Sequence, residues 1–127
     1  MNPVLVDTSV WIDHLRKGES GLVKLLAEEA VLCHPFVIGE LACGNLKNRQ
    51  EILSLLQSLP QTPQAENDEV LRFIQKSGLM GQGLGWVDVH LLASARLSKS
   101  QIWTLDKALC KAGRELDILY SVGKGSW

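Results

Sequence analysis

Short unbroken apolar runs alternate along the chain with longer stretches in which apolar residues recur every three or four positions, the pattern of buried strands interleaved with amphipathic helices. Val4-Leu5-Val6 reads as a first buried strand, and a helical pattern carrying Val10, Trp11 and Leu15 follows at once, punctuated by Gly18 and Gly21. Residues 22–30 form a second helical segment, and Ala30-Val31-Leu32-Cys33 a second short run of strand type. His34-Pro35 marks the entry to a helix with proline at its first position, predicted from Phe36 to about Leu46. Ile52, Leu55, Leu56 and Leu59 place a helix over 49–59, which Pro60 and Pro63 end, bracketing an extended Gln61-Thr62. Val70, Leu71, Phe73 and Ile74 place another over 67–76, and a glycine-rich loop follows from Gly78 to Gly85. Trp86 to Leu97 reads as a helix, 101–105 as a strand and 107–115 as a short helix. Residues 117–120 read as a last edge strand before a polar, glycine-containing tail.

Strands alternating with helices imply an α/β fold, a three-layer α/β/α arrangement around a mostly parallel sheet. At 127 residues, with no internal repeat and no linker, the expectation is one domain over 1–127, long enough to bury a real core. Hydrophobic residues at 46% and charged residues at 21% fit a compact soluble chain and exclude a disordered one. The net charge of −1 gives no basic footprint, which argues against a duplex-binding scaffold. Cys33, Cys43 and Cys110 lack Cys-x-x-Cys spacing and read as reduced thiols. No apolar stretch approaches the ~20 residues of a membrane span, and no basic segment followed by an apolar one opens the chain. The expectation is a cytoplasmic protein without membrane contact.

Four acids stand in unusual places. Glu40 is the only charge between Pro35 and Leu46, and a lone buried carboxylate is costly unless paired or metal-bound. A partly exposed helical Glu, or one bridged to an Arg, is the plainer alternative. Asp88 is the only formal charge between Lys76 and Arg96 and falls in the first turn of its helix, where complementing the helix dipole would be purpose enough. Asp7 and Asp106 each end a strand and precede a helix, so each also suits an N-cap. Capping does not explain all of them together. If their strands lie side by side, acids at the carboxyl ends meet in one crevice, the usual site of an α/β sheet. Carboxylates crowded there would repel and raise one another's pKa, and a divalent cation held by oxygen ligands, Mg²⁺ or Mn²⁺, removes that repulsion. Such a cluster supports phosphodiester hydrolysis. Thr104 and Ser9 would aim hydroxyls at the same crevice. With those acids neutralised the remaining surface would be slightly basic, so a polyanionic substrate is not excluded.

These residues resemble PIN-domain ribonucleases, and most closely the VapC toxins of bacterial type II toxin-antitoxin pairs. The likeness runs through Val6-Asp7-Thr8-Ser9-Val10-Trp11-Ile12-Asp13, Gly39-Glu40-Leu41-Ala42-Cys43-Gly44, Gly85-Trp86-Val87-Asp88 with Leu91-Leu92-Ala93-Ser94-Ala95, and Thr104-Leu105-Asp106. It implies a PIN-like α/β/α sandwich and an endoribonuclease dependent on Mg²⁺ or Mn²⁺, acting on single-stranded or structured RNA. It also implies homodimerisation and inhibition by a cognate antitoxin protein. Asp7, Glu40, Asp88 and Asp106 fall on the family's acidic, metal-holding positions, and Thr104 on the hydroxyl of its Thr-x-Asp motif. Many relatives carry a further acid after that motif, whereas Lys107, Ala108 and Leu109 follow here, which removes one ligand of a second metal site.

Other features have plainer readings. Gly81, Gly83 and Gly85 follow a helix rather than a strand and lack a P-loop lysine, so a mobile loop beside Asp88 that admits RNA is preferred to a nucleotide cradle. His14, His34 and His90 are not spaced as a metal pair and read as core or capping residues. Trp86 and Trp103 flank the crevice, where base stacking is conceivable, but core packing is the expectation for both. Lys47, Arg49, Lys107, Lys111 and Arg114 are candidates for steering phosphates, or an ordinary solvated face. Two rivals stand beside the nuclease. One is a catalytically silent α/β protein that only binds a partner. The other is a phosphotransferase phosphorylated on Asp7, which needs an Asp-x-Asp or a nearby lysine that Asp7-Thr8-Ser9 does not supply.

Overall fold

A computed structural model describes residues 2–121. The polar tail expected after Tyr120 lies, beyond Ser121, outside the described residues. Three strands, β1 (Val4–Val6), β2 (Val31–Leu32) and β3 (Gln101–Trp103), form a parallel sheet in the order β2-β1-β3. The described residues also form seven helices, α1 (Thr8–Lys17), α2 (Ser20–Ala27), α3 (Pro35–Ala42), α4 (Arg49–Ser58), α5 (Asn67–Ser77), α6 (Trp86–Leu97) and α7 (Lys107–Glu115). Single parallel bridges extend the sheet at both edges, Cys33 with Gln61 and Ile102 with Leu119. The extended Gln61-Thr62 piece and the last edge strand are therefore present, each reduced to one bridge.

The strand order positions everything that follows. From the central β1 the chain crosses to β2 on one side and then returns past β1 to β3 on the other. Right-handed crossovers running in opposite directions place their helices on opposite faces, which is why the sheet is sandwiched. Helix α1 packs on α3 and α3 on α4, while α5 packs on α6 and α6 on β3. All of β1 is buried, as are Val89 to Ala95 of α6, Ile102, Leu109, Trp11 and Leu22. Helix α6 thus runs through the interior with its charges confined to Asp88 and Arg96, near its ends.

Three helix-to-strand junctions share a device absent from the sequence reading. Glu29, Lys99 and Asp117 adopt left-handed backbone (φ 56, 53 and 60). In each case the next N–H reaches back to a helix carbonyl: Ala30 to Leu25, Ser100 to Ala95 and Ile118 to Gly113, all at 2.9 Å. This is a Schellman-type closure without glycine, and it aims each following segment into the sheet.

Two boundaries differ from expectation for local reasons. Helix α3 ends at Ala42 instead of Leu46 because Arg49 turns back and its guanidinium donates to the carbonyls of Ala42 (2.5 Å) and Gly44 (3.1 Å). Strand β3 ends at Trp103 instead of Leu105. Its last ladder bond is Asp7 N–H to the Trp103 carbonyl (2.9 Å), after which the N–H groups of Leu105 and Asp106 turn to the hydroxyls of Ser9 and Thr104.

Candidate active site

Between β1 and β3 the chain's direction of travel across the sheet reverses, and the carboxyl ends of strands at such a point are where an α/β sheet places its site. Asp7 leaves β1 there and Thr104-Leu105-Asp106 leaves β3. Asp7 is only 6% exposed, and its Oδ2 receives the hydroxyls of Ser9 (2.7 Å) and Thr104 (2.8 Å) and the Ser9 N–H (3.4 Å). No donor among the described residues reaches its Oδ1. Thr104, itself buried, also accepts the Asp106 N–H (3.0 Å), and its hydroxyl lies 3.3 Å from that of Ser9.

The other acids repeat this arrangement of one oxygen held and one free. Asp106 Oδ2 takes the Leu109 N–H (2.9 Å), Asp88 Oδ2 takes the Gly85 N–H (2.9 Å), and Glu40 Oε1 takes the Thr8 hydroxyl (2.7 Å). Asp7 caps α1, Asp106 caps α7, and Asp88 lies in the first turn of α6. The capping role and the shared crevice therefore coexist: three helix N-termini direct their partial positive charge at the acids they hold. The Asp88 carboxyl sits above its usual range. Burial is the main cause, opposed by the Gly85 N–H and reinforced by the negative fields of Asp7, Asp106 and Glu40. Asp88 thus senses the other three acids.

Glu40 is the correction among them. Its uncharged neighbourhood suggested burial, but Val37 and Leu41 are the buried pair on α3, one turn apart, while Gly39 and Glu40 are exposed. The Thr8 hydroxyl, rather than an apolar enclosure, ties Glu40 to the strand-helix corner at Asp7. Ser9 and Thr8 are the functional side chains underrated in sequence. They are the two residues after the acid that ends β1: the Ser9 hydroxyl reaches back to Asp7, whereas that of Thr8 reaches across to Glu40.

Whether these residues suit a cation can be judged from their partners. The one ion pair among the described residues is Lys17 with Asp13, on α1, so no Lys or Arg neutralises the crevice. Hard anionic oxygens, each partly free and without a cationic partner, fit a divalent ion of the Mg²⁺ or Mn²⁺ class. Among the described residues no three His, Cys, Asp or Glu side chains stand close enough to share an ion as they are. Each carboxylate instead rests against its own N–H or hydroxyl.

Several neighbours are also fixed. A groove of about 590 Å³ is lined by Glu40 together with apolar Ile12, Leu15, Leu46 and Ile52 and basic Arg16 and Lys47. Arg49 is engaged at the end of α3, whereas Lys107, Lys111 and Arg114 are exposed on α7. Gly83, at φ 80, lets the glycine-rich loop pass over α7, where an added Cβ would sit 3.7 Å from that of Ala108. Trp103 packs in the core at 4% exposure, as expected, but Trp86 is 43% exposed. His34 and His90 are buried, and the Nδ1 of His34 caps α3 by accepting the Phe36 N–H (2.9 Å).

The PIN domain family matches residues 4–115, nearly the whole described chain. The chain belongs to the PIN-domain family. This PIN domain is 49% identical over 113 residues to Ribonuclease VapC32 of Mycobacterium tuberculosis, strains CDC 1551 / Oshkosh and ATCC 25618 / H37Rv. The match covers 88% of this chain and 91% of each relative, which sets the protein among the VapC members of the family. Its fold is similar to the crystal structure of PAE2754 from Pyrobaculum aerophilum, with a TM-score of 0.63, 19% identity, and coverage of 87% of this chain and 84% of that one. It is also similar to FitAcB from Neisseria gonorrhoeae, with a TM-score of 0.61, 20% identity, and coverage of 91% and 94%. At these identities the two structures speak to the PIN fold alone.

Proposed function

We propose that this chain, read as one PIN-like domain over 1–127, is a metal-dependent endoribonuclease that hydrolyses phosphodiester bonds in single-stranded or structured RNA. In this reading it is the cytoplasmic toxin of a toxin-antitoxin pair. The observation that carries the chemistry is the set of four acids, each with one oxygen held and another free, in which the fields of Asp7, Asp106 and Glu40 add to burial in raising Asp88. Support for RNA as substrate comes from the relative that bears the name ribonuclease.

Asp7, Glu40, Asp88 and Asp106 would hold Mg²⁺ or Mn²⁺. When bound there, such an ion supplies charge neutralisation for the phosphodiester and acidifies water for attack. The chain's own part is positioning. Thr104 and Ser9 fix the Asp7 carboxylate through Oδ2 and turn Oδ1 free, and the Gly85 and Leu109 N–H groups do the same for Asp88 and Asp106. The groove that Glu40 lines, with its apolar and basic side chains, supports a cognate antitoxin protein as partner, and a homodimer completes the reading.

The test incubates the purified protein with a mixed cellular RNA pool in Mg²⁺, in Mn²⁺ and in chelator, beside Asp7→Asn and Glu40→Gln. Discrete fragments are expected only with metal and only from the unaltered chain. Cleavage that survives chelation, or that both variants retain, would overturn the metal-cluster mechanism. A chain that binds a partner but cuts no RNA under any of these conditions would favour the silent partner-binding rival.

A further inference from the structure

We propose that Trp86 is a stacking platform for an unpaired nucleobase of the substrate strand, a proposal that rests on the ribonuclease reading above. Trp86 opens α6 two residues before Asp88 and is 43% exposed, whereas Trp11 and Trp103 are 1% and 4% exposed. An indole left this open costs solvation unless something covers it.

Its mounting is specific. The Trp86 ring stands edge-on to His90 (centroids 4.6 Å apart, planes at 81°), His90 stands against Phe36 (4.8 Å, 64°), and Phe36 against His34 (4.9 Å, 65°). Both histidines are 0% exposed, so this ladder of rings is anchored in the interior and only its outer rung meets solvent. Packed in this way, the indole has lost most of its rotational freedom before a ligand arrives, which removes a principal cost of binding. The ladder also joins two helices that carry acids: Phe36 lies one turn before Glu40 on α3, and Trp86 shares α6 with Asp88, two positions away and on a different side of the helix.

The electrostatics of the crevice give an uncharged contact a purpose. Until a cation is bound, four carboxylates without a Lys or Arg partner disfavour a phosphate backbone, and the chain's net charge of −1 offers little general attraction. Stacking on an aromatic face is indifferent to that charge, and every base possesses a π-face. A base held within a duplex cannot reach the ring, so the platform selects unpaired nucleotides.

The test is a binding cycle read by fluorescence anisotropy in the Asp7→Asn chain, with two labelled probes of equal length: oligoadenylate, and the same ribose-phosphate strand without bases. Trp86→Leu retains apolar contact with His90 but has no π-face, and Trp86→Phe restores one. Thermal melts confirm that each variant is folded. Oligoadenylate affinity is expected to fall about ten-fold in Trp86→Leu and to stay within about three-fold in Trp86→Phe. Affinity for the base-free strand is expected to be unchanged by either substitution. Equal oligoadenylate binding by Trp86→Leu and the parent, or equal weakening toward both probes, would overturn the proposal. Because the cycle reads binding, it stands apart from the cleavage test. If the wild type cuts no RNA, the nuclease reading falls while the cycle still reports whether Trp86 senses bases.

Discussion

The Thr104 hydroxyl is the best place to test how the site is held. Thr104→Val preserves shape and removes a group that donates to Asp7 Oδ2 at 2.8 Å and accepts the Asp106 N–H at 3.0 Å. A hydrogen bond to a charged partner contributes about 1.5–3 kcal/mol. Asp106 is exposed, so water can take over its N–H, whereas Asp7 is 6% exposed and keeps only the Ser9 donors. The expected cost is therefore about 2 kcal/mol, or a fall in Tm of roughly 8 °C for a domain of this size. It would be measured by thermal and urea unfolding in chelator, where no metal contributes. Ser9→Ala should cost a similar amount, since it removes the 2.7 Å donor to Asp7 and the acceptor of the Leu105 N–H. Both hydroxyls serve one oxygen, so the double variant should depart from additivity by about 1 kcal/mol. With metal, Thr104→Val should lower kcat roughly 10- to 100-fold through misplacement of Asp7. A Thr104→Val loss below about 0.5 kcal/mol, together with strict additivity with Ser9→Ala, would refute the idea that these hydroxyls position Asp7.

Two further predictions follow from the charges. Asp88 is raised above its usual value, so the folded chain binds that proton more tightly than the unfolded one; stability grows as pH falls through the raised pKa and is lost as pH rises through it. Asp88→Asn, whose amide oxygen can still accept the Gly85 N–H, should melt no lower than wild type at neutral pH without metal and should not cleave RNA; a clearly lower Tm would count against the repulsion. His34 behaves oppositely. Burial, with the nearby His90 adding to it, lowers its pKa from 6.5 to about 4, and its Nδ1 must stay unprotonated to cap α3. Stability is fully present above pH 6.5 and is lost as pH falls toward 4, by roughly 3 kcal/mol at most. His34→Asn, which can cap but cannot titrate, should flatten that limb in acid unfolding curves, and an unchanged slope would contradict it.

Much of this protein could be read locally. The strand runs at Val4–Val6 and Val31–Leu32, the helical repeats, the proline entry to α3 and the capping positions of Asp7 and Asp106 are encoded within a few residues of chain. The acids themselves were conspicuous because each breaks an apolar context. The chain's resemblance to the PIN-domain family, which rests on an ordered set of such local signals, proved sound.

Only the tertiary structure decided what those residues share. Placing β1 between β2 and β3 brings the ends of the first and last strands, 97 positions apart at Thr104 and Asp7, to within a hydrogen bond. It also left Glu40 and Trp86 open to solvent, against expectations drawn from their apolar neighbours. Local sequence sets period, caps and turns through interactions a few residues long. Burial and the meeting of charges depend on how the whole sheet is ordered and which helix face each crossover presents, and no short window of sequence contains that information.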